Sequence, residues 1–143
     1  ILHQDRSNPM VSVNVWYHVG SKNEEPGRTG LAHLFEHLMF EGSKHHNSIH
    51  FEPLQQVGAN LNGSTSPDRT HYCDNVPAHY LELALWLEAD RMGFLLDALD
   101  QRRLDLQRDV VKNERRQSYE NRPYGLASLE LQGATYPSPH PYH

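Results

Sequence analysis

The segment "LAHLFEHLMF", Leu31 to Phe40, decides how the rest of the chain is read. Seven of its ten residues are aliphatic or aromatic, the density of a helix buried around most of its circumference. Yet it carries His33, Glu36 and His37. Unpaired polar groups in such surroundings cost roughly 2–7 kcal/mol each. They require a compensating partner.

Positions i, i+3 and i+4 share one helix face, so the two imidazoles stand one turn apart with the carboxylate beside them. Two such histidines can ligate one Zn²⁺, and a Glu outside the ligand set can take a proton from metal-activated water. The order H-x-x-E-H inverts the commoner H-E-x-x-H zinc motif and is the inverzincin pattern. In a chain with 11 histidines, chance spacing or core histidines satisfied by other groups give the same letters. The motif alone leaves these readings open.

A length of 143 residues is one domain's worth, enough for a core. A net charge of −5 with dispersed Lys and Arg argues against nucleic acid as a partner. No run of eighteen apolar residues is present, so no membrane span is expected. The start "ILHQDRSNPM" has neither a signal peptide's pattern nor an initiator Met, and it reads as the middle of something longer. The compartment stays unknown, and a preceding signal peptide would make the protein periplasmic or secreted. The single Cys73 excludes an internal disulfide and a cysteine-based metal site. In "KHHNSIH", His45, His46 and His50 read as solvated loop residues and Asn47 and Ser48 as a helix N-cap.

The alternation in "MVSVNVWYHVG" from Met10 predicts a strand, and a polar loop then feeds the His33 helix. A short helix follows over "NSIHFEPLQQVG", with Pro53 in its first turn and Gly58 closing it. The segment "ANLNGSTSPDRTHYCDNVP" predicts two strands joined at Ser66-Pro67-Asp68. From Pro77 a long helix is expected, with Leu81, Leu85, Met92, Leu95 and Leu96 as its inner stripe. Asp100 caps a second long helix that ends at Asn121, Pro123 and Gly125, and a short helix covers about 124 to 133. The class implied is α+β, a two-layer sandwich of amphipathic helices on a mainly antiparallel sheet.

A catalytic zinc usually takes three protein ligands and leaves one position open. On the second long helix, Glu114 follows Val111 by three and Val110 by four, on the stripe that holds Leu104. An exposed Glu in the charged run "KNERRQ" is the plainer reading. A carboxylate on a core-facing stripe, however, needs a cation. One zinc answers both Glu114 and the histidine helix.

Four features together resemble the pitrilysin/insulinase zinc peptidases, the family that includes mitochondrial processing peptidase. They are "GLAHLFEHLMFEGS", Glu114 after seventy-six intervening residues (38 to 113), "GANLNGSTS" and the terminal "HPY". The resemblance implies one zinc per chain on His33, His37 and Glu114, with Glu36 as general base. It also implies that Asn60 to Thr65 form a sheet-edge strand beside the metal, where a peptide adds as an extra strand, with Asn60, Leu61, Asn62 and Gly63 binding substrate. Turn and edge polarity explain Asn60 and Asn62 equally well. Asn62-Gly63-Ser64 also fits a glycosylation acceptor, but a sugar there would block that strand.

Many active members carry a second glutamate seven residues before the metal-binding one. Here that position is Gln107, which can still donate and accept hydrogen bonds behind the metal ligands but loses a charge. The resemblance further implies that residues 1–143 are the N-terminal, incomplete part of one catalytic domain. The rest of the unit and a second homologous half, in the same chain or a partner subunit, lie elsewhere. The expected function is a zinc metalloendopeptidase acting on peptides or small unfolded proteins, with the isolated fragment poorly active. The rivals are a non-catalytic scaffolding member, which typically loses the motif, and a zinc hydrolase of small molecules.

Overall fold

The Val-rich alternation from Met10 becomes strand β1 (Met10–Tyr17), whose odd-numbered residues are half-buried while the others face solvent. In the computed structural model, which describes all 143 residues, eight regular elements follow in order. They are β1, α1 (Leu31–Leu38), α2 (Glu52–Gln55), β2 (Asn60–Thr65), β3 (Thr70–Pro77), α3 (Leu81–Ala98), α4 (Gln101–Arg115) and α5 (Ala127–Thr135). The strands form one antiparallel sheet in the order β1-β3-β2, so β2 is an edge. The fold is α+β, as the sequence implies.

The chain divides into two compact units. The first comprises Ile1–Trp16, Met39–Gly63 and His71–Ala98. Its core is Leu54 of α2, Val76 of β3 and Ala84 and Leu87 of α3, with Val11, Val13 and Leu61 packed against them. Helices thus cover one face of the sheet, as amphipathic elements must if their apolar sides are to leave water. Pro53 sits in the first turn of α2, where its missing N–H costs nothing, and Gly58 leaves the helix at φ +78°.

Three sequence expectations fail in this unit. Of the proposed α3 stripe only Leu95 is buried; Leu81 is half-buried, and Leu85, Met92 and Leu96 are exposed. The buried residues are instead Ala84, Leu87, Glu88, Asp90, Arg91 and Leu95, because Glu88 and Arg91 neutralise one another inside while Leu85 and Leu96 lie outside. A break at Phe94 (φ −138°, ψ 19°) adds to the displacement. His50 is not a solvated loop residue: it is 1% exposed. Nor do Asn47 and Ser48 cap α2, which starts at Glu52 after a helical Phe51; the Ser48 hydroxyl donates to Glu52 Oε2 at 2.8 Å instead.

The second unit comprises Tyr17–Leu38, Ser64–Thr70 and Leu99–His143. Here α1 packs against α4. The start of α1 is fixed by Glu24, whose carboxylate accepts the N–H groups of Gly30 (2.8 Å) and Ala32 (2.6 Å). A negative group there satisfies otherwise unpaired donors and the positive end of the helix dipole. Asp100 caps α4 as its sequence position predicts, accepting from Arg103 N at 2.8 Å. Helix α4 ends at Arg115 and continues as a π-helical turn, Arg116–Glu120. The segment before α1 lies on the β2–β3 turn: Ser21 N donates to Ser66 O (3.3 Å) and Lys22 N to Pro67 O (3.0 Å). The Tyr142 hydroxyl donates to Asp68 on the same turn, at 2.7 and 2.6 Å from its two carboxylate oxygens.

Candidate metal centre

Within the second unit, α1 presents His33, Glu36 and His37 and α4 presents Glu114. The two imidazole Nε2 atoms lie 3.2 Å apart, and Glu114 Oε2 is 3.5 Å from His33 Nε2 and 3.2 Å from His37 Nε2. The three atoms form a nearly equilateral triangle. Tetrahedral zinc with bonds near 2.0–2.1 Å sets neighbouring donors ~3.3 Å apart. Two imidazoles and a carboxylate are also donors that zinc accepts. Set and spacing fit the ion. The His33 and Glu114 side chains are 42% and 45% exposed, which leaves an outer face open to water or a substrate oxygen.

Glu36, half-buried, stands outside this triangle and accepts a hydrogen bond from the Thr65 hydroxyl to Oε2 at 2.5 Å. Sequence reasoning puts Thr65 at the end of this edge strand without a role of its own, although strand alternation places it on the same face of β2 as Leu61 and Gly63. Gln107 is the one buried residue of α4. It shares the Glu114 stripe two turns away, about 10 Å along the axis. Asn60, Leu61, Asn62 and Gly63 belong to the first unit, where they open β2; Asn60 and Asn62 are exposed and Leu61 packs on the core.

A second donor set lies in the first unit. His50, Asp74 and Glu88 offer atoms within 4.8 Å of one another, all buried. Arg91 competes for this position. Its guanidinium donates to both Glu88 oxygens, from Nε at 3.0 Å and from Nη2, and lies 4.1 Å from the centre of the Tyr72 ring. The cluster already contains a fixed cation, whereas Glu114 pairs only with histidines. Burial pushes the Asp74 carboxyl up to about 7, helped by its hydrogen bond to Glu88 and by that residue's charge. Burial, then the Arg91 and His46 charges, hold His50 down at about 3.

A family model described as insulinase, peptidase family M16, matches residues 1–138. The chain belongs to the insulinase family. The zinc protease PqqE of Helicobacter pylori is 36% identical over 135 residues, which is 94% of this chain and 30% of that protein. Among solved structures, the crystal structure of a protease from Helicobacter pylori superposes with a TM-score of 0.87 at 34% identity, over 95% of this chain and 32% of that one. Pitrilysin superposes with a TM-score of 0.82 at 26% identity, over 96% of this chain and 14% of its own. The chain thus spans about a third of the length of the curated insulinase-family relatives it matches. No helix is long and apolar enough to cross a membrane.

Proposed function

We propose that the protein is a zinc metallopeptidase that hydrolyses peptide bonds, with one zinc held by His33, His37 and Glu114 and with Glu36 as general base. The observation that carries this reading is the triangle of donor atoms, 3.2, 3.2 and 3.5 Å on its sides, beside a carboxylate on the same helix. Zinc in that seat supplies Lewis acidity toward the scissile carbonyl and toward water. Glu36 accepts the proton of the attacking water and passes it to the leaving amine. The edge strand β2 offers unpaired backbone groups, so an extended peptide adds to it at Asn60–Gly63 with little regard to side chains. Gln107 supports the ligand helices through a buried amide.

The chain supplies the metal-binding part of one catalytic domain, and the remainder of the unit and a second homologous half complete the substrate chamber. The test is metal analysis of the purified full-length protein together with cleavage of unstructured peptides, for wild type and Glu36→Gln. The amide cannot accept the proton, so Glu36→Gln should keep one zinc and its fold but lose at least ~10²-fold in kcat. Activity within a few-fold of wild type would remove Glu36 from the role. A wild type that binds zinc without cleaving any peptide would favour a scaffolding member.

A further inference from the structure

We infer that Thr65 is a positioning residue for Glu36, holding the carboxylate so that its second oxygen faces the reacting water; the inference rests on the reading of Glu36 as the base. The Thr65 hydroxyl donates to Glu36 Oε2 at 2.5 Å across 29 residues of sequence. A glutamate side chain has three rotatable bonds, and a base that must meet one proton has to lose that freedom before the reaction. A charge-assisted bond from a hydroxyl to one carboxylate oxygen does this directly.

The donor is itself held. Thr65 is the last residue of β2, paired into the sheet, and its β-branched side chain is stiff at χ1. Its neighbours are tied on both sides. Arg69 Nη1 donates to Ser64 Oγ at 2.9 Å, and Ser66 N donates to Arg69 O at 2.8 Å. The Ser66 carbonyl in turn receives Ser21 N at 3.3 Å. The hydroxyl therefore projects from a strand end whose turn is closed by Arg69 and tied to Ser21, the kind of second layer that holds a reacting group within about 0.5 Å. The candidate ligands do not depend on this contact: the contacts that relate His33, His37 and Glu114 lie within α1 and between α1 and α4.

The experiment compares Thr65→Val, Thr65→Ala and Thr65→Ser with wild type and Glu36→Gln in the full-length protein. It reads kcat, KM, zinc stoichiometry and melting temperature. Val and Ala remove the donor, so kcat should fall about 10- to 100-fold, with KM within about threefold and zinc and melting temperature unchanged. Ser keeps the hydroxyl and should restore kcat to within about threefold of wild type. If Val and Ala cleave within twofold of wild type while Glu36→Gln is inactive, the positioning role is overturned and the base assignment stands. Loss of zinc or a large drop in melting temperature in all three variants overturns it in favour of a purely structural contact. An active, zinc-loaded Glu36→Gln overturns the underlying reading instead.

Discussion

His33 Nε2 and His37 Nε2 stand 3.2 Å apart, and both face Glu114 Oε2. Two neutral imidazoles at this distance can make one hydrogen bond between them, which leaves lone pairs converging on the same point. A cation relieves that convergence. Free zinc at a hundred times its Kd should stabilise the fold by about 2.7 kcal/mol, a rise of roughly 6–12 °C in Tm. His33→Ala and Glu114→Ala should lose that shift, and EDTA should abolish it in wild type. A His33→Ala protein that keeps a full equivalent of zinc and the full shift would contradict the ligand assignment.

Gly20 is buried against the β2–β3 turn, and a methyl group on its Cα would lie 2.1 Å from Ser66 O. Its backbone is extended, so the constraint is space rather than conformation. Gly20→Ala should therefore cost about 1–3 kcal/mol by forcing the two segments apart. Urea unfolding measures it. An unchanged midpoint would mean that the turn gives way freely, and the rigidity assigned to Thr65 would weaken with it.

The histidine motif, the Asp100 cap and the β2–β3 hairpin were legible in the sequence because each is written in local chemistry: an i, i+4 spacing, a side chain that accepts a helix N–H, a Ser-Pro-Asp turn. Glu114 was legible only as a carboxylate on the wrong side of its helix. The inner face of α3 was not, since pattern reading sends Glu88 and Arg91 outward. Their burial depends on each other and on Asp74 of β3, a long-range arrangement that periodicity does not encode. The contact of Thr65 with Glu36 escaped for the same reason: the two lie 29 residues apart.

Gln107 offers a test of what an added charge does. It is buried on the Glu114 stripe, two turns from that candidate ligand. Gln107→Glu places a negative group about 10 Å along the helix axis from Glu114, near enough to attract a cation at the candidate site through partly buried surroundings. Zinc affinity, measured by competition with a chelator, should rise by a few-fold, while stability of the zinc-free form falls because the new carboxylate is desolvated. A clear fall in affinity would contradict the supporting role proposed for Gln107.

The last prediction concerns pH. Asp74 faces Glu88 and Arg91 inside the first unit, and His50 lies 3.9 Å from Glu88 Oε1, with His46 also near enough to act on it. Asp74 is raised from 3.8 to about 7. The folded state thus holds a proton that the unfolded chain releases, and the stability this gives, complete below pH 3.8, is lost as pH rises through 7. His50 is lowered from 6.5 to about 3. Its sign is opposite: the unfolded chain takes up a proton that the folded state refuses, so stability present above pH 6.5 is lost as pH falls toward 3. Between about pH 4 and 6.5 the two slopes oppose each other, and together they leave wild-type stability nearly flat. Asp74→Asn keeps a neutral group in place and removes one slope. Relative to wild type it should gain stability with rising pH across that window, by up to about 1.4 kcal/mol per pH unit, the limit for one full proton. Urea midpoints of the two proteins from pH 4.5 to 6.5 measure the difference. A pH-independent difference would mean that Asp74 is ionised in the folded protein, with Arg91 serving both carboxylates at once.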